Sequence, residues 1–73
     1  MAAGIAIRLR RYVDGKPVAS VEDVLAPRYR LNDVLQLVQG CVNGGYPILL
    51  LTASGATLPI DPAEWQAIAV FED

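Results

Sequence analysis

The sequence predicts a small α+β domain in which two β-hairpins flank one helix. Three observations carry this. Ile5, Ile7 and Leu9 alternate with Ala6, Arg8 and Arg10, the period of a strand with one wet face. Leu31, Val34, Leu35, Val38, Cys41 and Val42 recur at the spacing of a single helical stripe. Turn signals at Asp14-Gly15, Asn43-Gly44-Gly45 and Ser54-Gly55 separate the periodic segments. The chain has 73 residues, room for one domain spanning 1–73 and no more. It is 53% apolar and 19% charged, a balance that excludes a disordered chain.

The first hairpin turns at Asp14-Gly15, where glycine accepts positive φ without steric cost. Val18 to Leu25 is its returning strand, and Pro27 ends it by removing a ladder donor. A two-residue loop would set Leu9 beside Ser20 and mix core with polar positions. A three-residue loop with a bulge pairs Leu9 with Val21 and Arg8 with Glu22, and is preferred. The helix is expected over 32–43, capped by Asn32, favoured by Asp33 at the positive end of its dipole, and stopped by Asn43-Gly44-Gly45. Its stripe is expected to pack on one sheet face.

Ile48-Leu49-Leu50-Leu51-Thr52 is apolar on both sides, as a strand covered on both faces would be. A two-residue Ser54-Gly55 loop would pair Leu51 with Leu58 and Leu49 with Ile60, and Pro59 places that second strand at an edge. Asp61-Pro62-Ala63-Glu64 has the form of a helix start: cap, proline at the first position, acid at the third. A helical turn is expected at 62–66, with Trp65 covering the end of the core. Residues 67–71 fit a helix through Trp65, Ile68 and Ala69, and equally a last strand through Ile68, Val70 and Phe71.

In length and element order, ββαββ plus a terminal piece, the chain is similar to the β-grasp (ubiquitin-like) arrangement. It ends Phe71-Glu72-Asp73, without the terminal Gly-Gly that conjugation and sulfur transfer use in that superfamily, so neither chemistry is expected.

The residue inventory excludes more than it offers. No histidine is present, which removes Ser-His-Asp and Cys-His catalysis. Cys41 is the only cysteine, so an intrachain disulfide, a redox pair and a structural zinc site of Cys/His type are excluded. On the helix stripe Cys41 reads as a buried, inert thiol, since a nucleophile needs an activating cation and no Lys or Arg follows Arg30. Neither GxGxxG nor GxxxxGK[ST] occurs. Neither an enzyme, nor a cofactor, nor a metal site is expected. No apolar run approaches the roughly 18 residues of a membrane span, and Arg8, Arg10 and Arg11 interrupt the start before a signal segment could form. A cytoplasmic location follows as the expectation.

Charge is divided along the chain. All six basic residues, Arg8, Arg10, Arg11, Lys16, Arg28 and Arg30, lie in the first 30 positions against Asp14, Glu22 and Asp23, a balance of +3. Residues 31–73 carry five acids and no base, −5, which gives the total of −2. Read as ordinary surface, this is a solvated strand face with pairs such as Arg8–Glu22. Read as a site, Arg8, Arg10 and Tyr12 project from one strand face, with Arg28, Tyr29 and Arg30 in the loop after its partner. Arg and Tyr are the types enriched at protein-binding hot spots. The expected function is therefore a non-catalytic protein-binding module docking on the acidic patch of a larger protein. Such a module would be an accessory subunit of a bacterial enzyme complex or an inhibitor made by a phage or other mobile element. Small acidic inhibitors such as the anti-CRISPR proteins are similar in size and composition. The alternative is a nucleic-acid-binding module using the same arginines, against which stand a pI near 4.8 and a single lysine. The bare strand face offers a third use, pairing two copies of the chain.

Overall fold

The structure, a computed structural model, describes residues 4–72. Met1–Ala3, part of the segment inspected for a signal, and Asp73, one of the C-terminal acids, lie outside the described residues. The elements are β1 (Ile5–Val13), β2 (Lys16–Val24), α1 (Leu31–Gly44), β3 (Ile48–Leu51), β4 (Thr57–Ile60) and β5 (Ala67–Glu72). They form two antiparallel sheets, β2-β1-β5 and β3-β4. A bridge between Leu25 and Thr52 joins the sheets. Beside it the Ala26 N–H donates to the Leu51 carbonyl at 2.9 Å, and the Ala53 N–H to the Val24 carbonyl at 2.8 Å. The α+β class stands as the sequence predicts it.

The β1–β2 hairpin has the expected register through a different construction. Asp14 and Gly15 both adopt positive φ, 52° and 76°, and close a two-residue turn that sets Val13 opposite Lys16. The register then shifts between Arg11 and Tyr12, so that Leu9 faces Val21 and Arg8 faces Glu22. The bulge thus lies along the arm and not in the loop, and it puts Val18 out of the pairing. The hairpin extends beyond β5, which reaches only to Arg10, and the molecule measures 40 × 23 × 20 Å.

Ile5, Ile7 and Leu9 form one side of the core, with Val34, Val38 and Cys41 of α1, Leu25 from the bridge, and Leu50 and Ile60 of the second sheet. The helix runs a residue longer at each end than expected, and Asn32 is not its cap. Arg30 is the cap residue, extended and with no side-chain capping bond, and its carbonyl accepts from the Val34 N–H at 3.1 Å. Starting there brings Leu31 against the core, which outweighs a capping bond of about 1 kcal/mol. At the other end Gly45, left-handed at φ 70°, donates its N–H to the Cys41 carbonyl, the stop that the Gly44-Gly45 pair predicts. The expected stripe is too wide: Val34, Val38 and Cys41 are buried, whereas Leu35 and Val42 are exposed on its flank. A sheet this small covers a narrow strip of helix.

Cys41 is fully buried, and its thiol points at the Ile60 carbonyl, 3.7 Å away. Burial, aided by the negative charge of Asp61, raises its pKa above the usual thiol value. The folded state therefore holds the proton more tightly than the unfolded chain. The contribution is complete below about pH 8.5, the unfolded value, and is lost as pH rises through the folded pKa. Cys41 is expected to resist thiol reagents until the protein unfolds, and Cys41→Ala is expected to flatten the alkaline loss of stability. Rapid labelling of native protein by a maleimide would contradict the burial.

The second hairpin corrects the predicted register by one residue. Ile48 faces Ile60, Leu50 faces Leu58, and Leu51 faces Thr57. Thr52 is responsible: its N–H donates to the Ala56 carbonyl at 2.8 Å, and its hydroxyl meets Ser54 and the Ala56 backbone. That closes a three-residue loop with Gly55 at φ 90°. β3 is not covered on both sides either. Leu50 is buried while Leu49, opposite Pro59, is 67% exposed, because no element among the described residues lies over it. Asp61 initiates one helical turn, its carbonyl accepting from the Glu64 and Trp65 N–H groups and its side chain from Ala63. Trp65 packs against the core as expected. The chain then becomes β5, and the pairing with β1 decides the ambiguity of 67–71 in favour of strand.

Candidate functional site

Alternation along β1 sends Ile5, Ile7 and Leu9 toward α1 and Arg8, Arg10 and Tyr12 to the opposite face. The ladder extends that outer face over both neighbours. Arg8 lies between Glu22 and Ala69, and Arg10 between Ser20 and Ala67. Ala6, between Val24 and Phe71 in the ladder, is buried. Among the described residues no helix lies across this face, since α1 packs on the core side with Ile68 and Val70.

The side chains of the face differ in how far they are committed. Arg8 donates through Nε to Glu22 at 3.2 Å, the predicted pair, and its guanidinium lies 5.2 Å from the centre of the Phe71 ring. It is held on two sides. Arg10 has no carboxylate within salt-bridge distance among the described residues. Its carbonyl accepts from the Gln66 N–H at 2.9 Å, while the Gln66 side chain accepts from the Tyr12 N–H, extending the β1–β5 pairing one step beyond the strand. Between Arg8, Arg10, Tyr12, Ala67 and Ala69 is a shallow depression of about 140 Å³, floored by the two alanines.

The six residues expected to form one surface separate into two groups. Arg8, Arg10 and Tyr12 share the open face. Arg28, Tyr29 and Arg30 follow Leu25, whose N–H donates to the carbonyl of Ile5 at the start of β1. From Ile5 to Tyr12 a strand runs about 23 Å, so the second group does not adjoin Arg10 and Tyr12. Arg28 and Arg30 are exposed, and the Arg28 guanidinium lies 5.5 Å from the Tyr29 ring centre. Tyr29 itself turns inward to the core. Its hydroxyl oxygen accepts from the Leu51 N–H at 2.9 Å, beside the bridge that joins the sheets. That bond lowers its pKa below the usual phenol value, against the opposing effect of burial and with help from Arg28.

The sequence reading missed Ala67, Ala69 and Phe71. Their signal is the alternation Ala67, Ala69, Phe71 with Ile68 and Val70, which becomes visible once 67–72 is taken as strand. A second, apolar cleft of about 400 Å³ lies between Ile5 and Ala53 at the sheet junction, with Tyr29 among its lining residues. Among the described residues no group of three or more His, Cys, Asp or Glu side chains gathers to hold a metal ion, and no helix is long and apolar enough to cross a membrane. What the open face offers is contact: an unpaired guanidinium, a guanidinium stacked on a phenyl ring, and a phenol beside a small hollow. No protein-family model, curated protein or solved structure matches this chain.

Proposed function

We propose that this protein is a non-catalytic binding module that docks on a larger protein through the open face of the β2-β1-β5 sheet. The observation that carries the reading is Arg10, unpaired among the described residues, at the rim of a hollow lined also by Tyr12 and Ala67. A free guanidinium matches a carboxylate bidentately, and an aromatic beside it supplies flat area at low entropy cost. The counterpart is an acidic patch with one protruding side chain that fills the hollow. Arg8 and Phe71 brace the face, because Arg8 is already bound to Glu22. That commitment weighs against nucleic acid, which needs several free cations along a phosphate track. An accessory subunit or an inhibitor delivered by a mobile element fits a module that works by occupying a surface. The lone, buried thiol fits a reducing compartment, the cytoplasm.

The test is affinity capture from source-cell lysate with wild type and with Arg8→Glu/Arg10→Glu, read by quantitative mass spectrometry. Circular dichroism checks that the variant folds; losing one exposed pair costs about 0–1 kcal/mol. Capture of the partner should fall about tenfold or more, because like charges then face each other across the interface. Undiminished capture by a folded variant would move the site off this face.

A further inference from the structure

The edges of the two sheets are protected unequally. The outer edge of β2 carries Lys16, Pro17, Glu22 and Asp23 and is interrupted by the bulge at Val18. β4 carries Pro59. These are the devices by which proteins prevent strands from adding to an open edge. β5 has none of them: Ala67-Ile68-Ala69-Val70-Phe71 holds no charge, proline or bulge before Glu72, and among the described residues the strand pairs only with β1.

From this we propose that β5 pairs with β5 of a second copy, antiparallel about a two-fold axis at Ala69, making one six-stranded sheet with both open faces on the same side. The backbone sets the register. The even-numbered residues of β1 direct their N–H and C=O groups to β5, as the Arg10 carbonyl and the Tyr12 N–H show. In the β1–β5 register this turns Ala67, Ala69 and Phe71 inward and leaves those groups of Ile68, Val70 and Glu72 at the free edge. An isologous pair that keeps each side chain on its own face then joins Ile68 to Val70 of the second copy through both their hydrogen bonds.

The side chains are self-complementary in that register. On the core side Ile68 meets Val70. On the open side Ala69 meets Ala69, and Ala67 meets Phe71 of the other copy. Phe71 thereby comes beside the hollow floored by Ala67 and Ala69, and its ring adds apolar contact at the rim. Charge agrees: Glu72, on the side of Ile5, reaches the end of β5 where the other copy presents Arg11 on that same side. A strand pair of six residues is a small interface, so the dissociation constant should lie at about 1–100 µM. The pair brings Phe71 beside the hollow that the docking reading gives to a partner's side chain, so the two compete there; sedimentation tests the pair and capture tests the docking, and each can fail alone.

The test combines sedimentation of the full chain with two variants at the axis. Wild type should pass from monomer to dimer as concentration rises through that range. Ala69→Lys, at an exposed position, places two ammonium groups and two Arg8 side chains across the axis and should abolish the dimer in a protein still folded by circular dichroism. Ala69→Cys should oxidise readily to a covalent dimer, because a non-hydrogen-bonded antiparallel pair has Cα atoms about 4.5 Å apart, within disulfide reach. The buried Cys41 cannot substitute for it. A wild type that stays monomeric to about 500 µM, well above the expected constant, would overturn the proposal, even if the edge then accepted a strand from another protein. So would a dimer that folded Ala69→Lys leaves intact, or Ala69→Cys that does not cross-link under oxidation.

Discussion

Ile7→Ala is expected to lower the unfolding free energy by about 2–5 kcal/mol, the lost transfer energy of the side chain plus the cavity it leaves. Ile7 has no exposed surface and lies in the core with Leu9, Val34 and Cys41. A domain of this length holds only about 4–11 kcal/mol in all, so the variant should lose a large share of its stability. The urea midpoint measures it. Truncating Leu49, 67% exposed, should change the unfolding free energy by no more than about 0.5 kcal/mol, although both residues are aliphatic and in strands. Equal shifts would mean that the two strand faces are wrongly assigned.

Tyr29→Phe should cost about 1–3 kcal/mol with almost no change in shape. The phenol oxygen is the acceptor for the Leu51 N–H, whose own carbonyl accepts from Ala26. Tyr29 thus continues the short ladder between the sheets with a side-chain atom where no strand residue reaches. Removing the oxygen leaves a part-buried N–H unpaired, which costs more than the net value of the bond. Thermal unfolding of the variant gives the number, and amide exchange at Leu51 should accelerate first. A variant as stable as wild type would show that water replaces the phenol, and that the junction is looser than its geometry.

Much of this architecture was legible because local chemistry and tertiary packing agree. The alternation of Ile5, Ile7 and Leu9 identifies which face is wet, and the requirement that Leu9 meet Val21 places a bulge in the hairpin before its position is known. The glycines at 15 and 45 mark the turn and the helix end by their positive φ. Where local signals mislead, a contact between distant segments outweighs them. Asn32 has the chemistry of a cap, yet burial of Leu31 moves the helix start ahead of it. Ser54-Gly55 resembles a two-residue turn, but the Thr52 hydroxyl widens the loop and shifts every residue of β4 by one. Residues 67–72 carry a pattern valid for either structure, and only the unpaired edge of β1 selects the strand.

The candidate site was legible in part for the same reasons. Arg8, Arg10 and Tyr12 follow from the period of one strand, a local property. Ala67, Ala69 and Phe71, which complete the face, depend on the β1–β5 pairing, and alanine gives no chemical signal of its own. Tyr29 looked like an exposed aromatic between two arginines. Its inward turn depends on an unsatisfied N–H 22 residues further along the chain, which no neighbouring residue announces.

We propose the open sheet face as the working surface. The capture experiment tests it most directly when Arg8→Glu/Arg10→Glu is run beside Leu49→Glu, which places a charge on an exposed apolar residue of β3, remote from Arg8 and Arg10 in the ladders. With both variants folded, the account predicts that partner recovery falls about tenfold or more for the arginine variant and stays at the wild-type level for Leu49→Glu. Full recovery with the arginine variant and loss with Leu49→Glu would contradict it.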